Sequence, residues 1–147
     1  MNNKLVIIPT YNEKENISLM INTVMTLDPG LDLLIIDDNS PDGTAALVKE
    51  LQDQFKERLH LHERKGKLGL GTAYIAGFNW ALEKEYQYIC EMDADFSHNP
   101  KDLIRLFNAC ENGGYDVAVG SRYISGVNVV NWPMSRVLIS YFASMYV

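Results

Sequence analysis

Residues 31–44, LDLLIIDDNSPDGT, run from an almost unbroken apolar stretch into two adjacent aspartates and then a turn. A strand with one wetted face would alternate apolar and polar residues, whereas a strand buried on both faces reads as a continuous apolar run. LDLLIID, residues 31–37, is therefore expected as an inner strand of a parallel sheet, and KLVIIP, residues 4–9, reads the same way. Between them Ile17, Met20, Ile21, Val24 and Leu27 recur at helical spacing, and DPG closes the helix. This strand–helix–strand unit then repeats. Ser40 is expected to cap a second helix with Pro41 at its first position, burying Leu47, Val48, Leu51 and Phe55. RLHLHE (58–63), YQYICEM (86–92) and YDVAVGS (115–121) read as further strands, and 70–84 and 100–110 as helices. The alternation predicts one α/β domain over residues 1–147 with a mainly parallel, doubly wound sheet.

Composition narrows the function. With 47% hydrophobic and 22% charged residues the chain reads as an ordinary globular domain. A net charge of −6 argues against a nucleic-acid partner, whose phosphates call for a basic surface, and favours collection of a cation. Cys90 and Cys110 lack the spacing of a zinc site or a disulfide framework and are expected as buried thiols in a reducing cytosol. The opening segment MNNKLVIIPTYNE has too short an apolar run for a signal peptide or membrane span. The apolar run 137–147 stops with the chain and shows no helix-ending signal, so the sequence is expected to be a fragment truncated at its carboxyl end.

In doubly wound sheets ligands bind beyond the carboxyl ends of the strands, which directs attention to PTYNE, DDNSPDG, ERKGKLGLG, DADFSHNP and GSRY. Asp93 and Asp95, separated by Ala94, would share one face of an extended strand. Two adjacent carboxylates repel unless a cation relieves them, and Mg²⁺ or Mn²⁺ prefers such ligands while keeping positions open for phosphate oxygens. The competing reading makes Asp95 and Asn99 caps for the helix near Pro100. Asp38 can accept N–H bonds from a nucleobase, with Tyr11 nearby, whereas Thr10 and Glu13 also fit a capping box. Arg64, Lys65 and Lys67 among Gly66, Gly69 and Gly71 suit a diphosphate or a mobile lid, or a solvated turn. Neither GxxxxGK[ST] nor GxGxxG is present. A phospho-receiver domain would need its acidic pair after the first strand, where PTYNE stands.

Taken in order, IIPTYNEKENI, IIDDNSPDGT, GKLGLGTAY, MDADFSHNP and GSRYISGVNVVNWPMSR resemble the family 2 inverting glycosyltransferases of the GT-A fold, and within them the polyprenyl-phosphate (dolichyl-phosphate) mannosyltransferases. The resemblance implies that Pro9, Tyr11, Glu13, Asp37 and Asp38 surround the nucleotide and that Asp93 and Asp95 hold Mg²⁺ or Mn²⁺ on its diphosphate. Asp95, Arg122 and Arg136 would carry catalysis, the arginines meeting donor or acceptor phosphates. Ser97 stands where many relatives carry Gln, and a Ser97–His98 pair after the acidic triplet looks more like the mannosyl branch. The implied reaction moves mannose from GDP-mannose to a polyprenyl phosphate at the cytoplasmic membrane face. A UDP-hexose donor is the alternative.

Overall fold

The computed structural model describes residues 3–121 and 133–146. Four strands, β1 (Lys4–Thr10), β2 (Leu31–Asp37), β3 (Leu59–Glu63) and β4 (Tyr88–Glu91), form one parallel sheet in the order β3-β2-β1-β4. Helices α1 (Lys14–Leu27), α2 (Thr44–Phe55), α3 (Leu70–Glu83) and α4 (Asp102–Glu111) alternate with them, and α5 (Met134–Tyr146) follows.

Pleating sorts the apolar runs onto two faces. Val6, Ile8, Leu33 and Ile35 point to one side and pack with Ile17, Met20, Ile21 and Val24 of α1, Val48 of α2, and Leu103 and Phe107 of α4. Leu5, Ile7, Leu34 and Ile36 point to the other, against Ala73 and Ala81 of α3 and Tyr86. Every residue of β2 is buried, as its unbroken apolar run requires. The doubly wound expectation is thus met.

Three details differ from the sequence expectation. Helix α2 starts at Thr44 with Gly43 as its cap, because Ser40 is used elsewhere, as described below. Strand β4 ends at Glu91, two residues before Asp93. Residues 115–121 form no strand: they make no ladder with β4, and Tyr115, Val117 and Val119 are exposed. An apolar alternation is sufficient for a strand only where it finds a partner edge. Here residues 114–118 stand off from β4 across a cleft of about 480 Å³, which Cys90 and Cys110 both line as free thiols.

Gly77 sets the spacing of α3 on the sheet. A Cβ there would lie 2.7 Å from Ile7 Cγ2. Replacing a helical glycine by alanine should gain about 1 kcal/mol of helix propensity, but overpacking a fully buried Ile7 should cost about 1–3 kcal/mol. Gly77→Ala is therefore expected to be neutral to destabilising by about 2 kcal/mol in urea unfolding, instead of showing the stabilisation that propensity alone predicts.

Candidate functional site

Two loops at the carboxyl edge of the sheet are locked together by one buried side chain. Asp37, the last residue of β2, is fully buried. Its Oδ1 accepts hydrogen bonds from Thr10 Oγ1 at 3.0 Å and Ser40 Oγ at 2.6 Å, and its Oδ2 accepts the Ser40 N–H at 2.9 Å. Ser40 Oγ in turn accepts the Asn12 N–H at 3.0 Å. Asn12 and Asn39 both have left-handed backbones (φ 60° and 58°), a conformation asparagine tolerates better than most residues.

The amino end of α1 is capped from this neighbouring loop. The Glu13 N–H donates to Thr44 Oγ1 at 3.1 Å, and the Lys14 N–H donates to Asp42 Oδ2 at 3.0 Å. Asp42 Oδ1 also accepts the Thr44 hydroxyl and amide. The Thr10–Glu13 capping box does not form, since the Thr10 hydroxyl goes to Asp37 and α1 has no side-chain cap of its own. Glu13 instead lines a cleft, with Oε2 accepting from Asn16 Nδ2 at 3.1 Å.

That cleft, of about 320 Å³, gathers Pro9, Tyr11, Glu13, Asp38, Asp93 and Asp95, together with Lys67, Gly69 and Ala73. Asp38 Oδ2 accepts the Leu68 N–H at 3.2 Å. Arg64 Nε lies 3.3 Å from Asp38 Oδ1 but out of line, so that oxygen accepts no hydrogen bond among the described residues. The Arg64 side chain is buried by its neighbours and donates through Nη2 to Thr72 Oγ1 at 2.7 Å.

Asp93 and Asp95 reach the cleft together, though by a different route from the strand alternation expected. They sit on a bend beyond the end of β4, with Ala94 buried between them and Phe96 in a left-handed backbone (φ 58°). Tyr74 of α3 donates to Asp93 Oδ1 at 3.3 Å, and His98 Nε2 lies 3.4 Å from Asp93 Oδ2. Burial and the Asp93 charge push the Tyr74 hydroxyl pKa up, which keeps it a donor. Asp95 Oδ1 accepts the Ser97 N–H at 2.9 Å. Desolvation raises the Asp95 pKa, yet the Ser97 bonds and the His98 charge outweigh it and hold the carboxyl below its usual value. Asp95 does not cap α4, because Asn99 Oδ1 accepts the Lys101 N–H instead.

The remaining candidate positions lie elsewhere. Asp37 is absent from the cleft wall, its oxygens being consumed by the two loops. Arg122 lies outside the described residues, and Arg136 is exposed on α5 and does not line the cleft. Tyr74 was not singled out by sequence; the signal available was an aromatic hydroxyl one turn into a helix that follows a glycine-rich loop. Among the described residues no group of three or more His, Cys, Asp or Glu side chains forms a metal-holding cluster. Two carboxylates opening onto one cleft still fit Mg²⁺ or Mn²⁺, which complete their shells with water and substrate phosphate.

The chain matches the glycosyl transferase family 2 domain over residues 5–146. It is 49% identical over 142 residues to a polyprenol monophosphomannose synthase of Mycolicibacterium smegmatis, covering 97% of this chain and 53% of that protein. An undecaprenyl-phosphate mannosyltransferase of Micrococcus luteus is 46% identical over 97% of this chain and 57% of its own length. A dolichol-phosphate mannosyltransferase of Pyrococcus furiosus is 39% identical, covering 95% of this chain and 39% of that protein. The chain thus spans about half the length of the curated relatives it matches. Among solved structures, the mannosyltransferase PcManGT of Pyrobaculum calidifontis, in complex with GDP-Man and Mn²⁺, superposes with a TM-score of 0.50 at 26% identity, covering 53% of this chain and 24% of that one. S. aureus TarS superposes with a TM-score of 0.65 at 25% identity, covering 92% of this chain and 24% of that one.

Asp37→Asn should turn a carboxylate that accepts three hydrogen bonds into an amide whose NH₂ faces another donor. A loss of about 1–3 kcal/mol is expected in urea unfolding, as for a buried group left mispaired. Asp42 gives a pH signature. Burial raises its pKa, but the hydroxyl and amide of Thr44 and the amide of Lys14 more than offset this, leaving it below 3.8. A carboxyl depressed in the folded state stabilises fully above its unfolded value and loses that contribution as pH falls through the folded one. Asp42→Ala should therefore cost about 1 kcal/mol at pH 7, as lost caps do, and the gap to the parent should narrow as the pH is taken below 3.8.

Proposed function

Because the chain belongs to glycosyl transferase family 2, we propose that it forms the donor-binding part of an inverting transferase moving mannose from GDP-mannose to a polyprenyl phosphate. One observation carries this reading: Pro9, Tyr11, Glu13, Asp38, Asp93 and Asp95, drawn from three separate strand ends and the loops that follow them, line a single cleft at the carboxyl edge of the sheet. The names of three similar proteins, each a polyprenol-phosphate mannose transferase or synthase, and the GDP-Man complex of a structural neighbour support the choice of sugar and acceptor.

In the proposed reaction Tyr11, Pro9 and Asp38 hold the nucleoside, with Asp38 accepting base N–H groups. Glu13 forms the wall beside them. Asp93 and Asp95 would hold a divalent cation, which supplies charge neutralisation on the departing nucleoside diphosphate. The nucleophile needs no base from the protein, since a phosphate monoester has its second pKa near ~6 and is largely dianionic at neutral pH. One acceptor oxygen forms its bond to the anomeric carbon as the bond to the diphosphate oxygen breaks, and the single displacement inverts that carbon. Arg122 and Arg136 are the proposed partners of the acceptor phosphate, for which the planar guanidinium fork is suited.

The proposed acceptor is a lipid, so a membrane surface on the cytoplasmic side is the proposed partner. Helix α5 exposes Leu138, Ile139 and Phe142. Among the described residues no helix is long and apolar enough to cross a membrane.

Calorimetric titration with GDP-mannose, GDP, UDP-glucose and UDP, each with and without Mn²⁺, tests the donor assignment. Metal-dependent binding of the guanine nucleotides is expected, and preferential uridine binding would refute it. Asp95→Ala should weaken donor binding by about ten- to a hundredfold in Mn²⁺ while leaving the residual metal-free affinity in place. Full retention of metal-dependent binding by that variant would remove Asp95 from the metal site.

A further inference from the structure

The proposed donor cleft has a charge imbalance that its substrate would worsen. Glu13, Asp38, Asp93 and Asp95 line it, and the single cationic side chain on its described wall is Lys67. An anionic diphosphate entering beside four carboxylates needs positive charge from the protein as well as from a cation held by Asp93 and Asp95.

The position of Lys67 is built. The N–H of the next residue, Leu68, donates to Asp38 Oδ2 at 3.2 Å. Upstream, Arg64 is only 7% exposed in its side chain and ties the start of the loop to Asp38 and to Thr72 at the amino end of α3. Downstream, Gly69 turns the chain with φ 98°, a conformation that L side chains rarely adopt. The loop is thereby fastened to Asp38 on both sides of Lys67, by Arg64 before it and the Leu68 amide after it. The Lys67 ammonium stands 4.4 Å from the centroid of the Tyr11 ring, itself part of the cleft wall. A cation–π contact of that kind favours holding the charge over the cleft instead of in bulk solvent.

We infer that Lys67 is a donor-binding residue that contacts the diphosphate of the nucleotide sugar, delivered by a loop latched onto Asp38. The inference rests on the donor-site reading above. It separates Lys67 from the neighbouring basic residues of the loop: Arg64 is a positioning residue that acts through Asp38 and Thr72, and the ammonium of Lys67 meets the ligand. Tyr11 holds that ammonium at the cleft mouth.

The test is titration of GDP and of GDP-mannose, in saturating Mn²⁺ and over a range of NaCl, into the parent chain, Lys67→Met and Lys67→Arg. Methionine keeps an unbranched apolar stem, and the position is exposed, so the fold should be retained, as circular dichroism will verify. Loss of a charge-assisted contact should raise the Kd for both nucleotides about ten- to a hundredfold in Lys67→Met. Lys67→Arg should restore affinity to within a few-fold. The parent should also show a steeper fall of affinity with salt than the Met variant, which a merely structural role for the side chain would not produce. Unchanged affinity in Lys67→Met, or equal salt slopes, would overturn the inference while leaving the donor site standing. A folded parent that binds neither nucleotide would overturn both.

Discussion

The Asp37 carboxylate is the contact on which the rest of the cleft depends. Burying an ionised group costs several kcal/mol unless its lone pairs are filled. Here they are filled from two places, Thr10 at the end of β1 and Ser40 in the loop after β2. Neither can move without leaving a buried charge mispaired. Ser40, Thr44 and Asp42 then extend the lock by accepting the amides of Asn12, Glu13 and Lys14, which lead into α1. Asp38 follows directly in the chain, so the direction of its side chain is fixed by a neighbour that does not line the cleft. A scaffold acid and a cleft acid stand side by side, and their division of labour is set by which way the strand end points them.

The same economy governs the second acidic pair. Asp93 is bracketed by Tyr74 from α3 and His98 from its own loop, and Asp95 by Ser97. The oxygens so engaged are restrained but not saturated, which leaves both carboxylates able to accept the proposed cation. Gly77 lets α3, the helix that carries Tyr74, press closely on Ile7 of the sheet.

Much of this was legible in the sequence. The unbroken runs of β1 and β2 gave the parallel sheet because continuous apolarity has one common physical cause, burial on both faces. The cleft followed from topology, since the polar loops after those strands must lie at one edge. The role of Asp37 was not legible, because two adjacent aspartates look alike until the strand end sends one inward. The helix caps were misplaced for a related reason. Ser40 and Thr10 have the right chemistry for local caps, but both hydroxyls turn to donate to Asp37, and the Ser40 oxygen accepts the Asn12 N–H, so neither accepts an amide of its expected helix. Local propensity lost to a tertiary contact. Residues 115–121 failed as a strand on similar grounds: alternation describes what an edge would accept, and no ladder to β4 is made.

Asp93 and Asp95 show how an expected juxtaposition can arise from a different cause. Spacing of two residues was expected to align them through the pleat, yet β4 stops at Glu91. What brings them to one cleft is the burial of Ala94, which anchors the bend between them, and the left-handed turn at Phe96, which folds Ser97 back onto Asp95. A strand would hold both carboxylates at a fixed spacing with the repulsion undiminished. A bend anchored on one small buried residue leaves each carboxylate on its own side chain torsions, restrained by different donors. Two carboxylates of that kind can adjust to the proposed cation and to the phosphate oxygens that would accompany it, and the Ala94 between them is buried in the same core cluster as Met92.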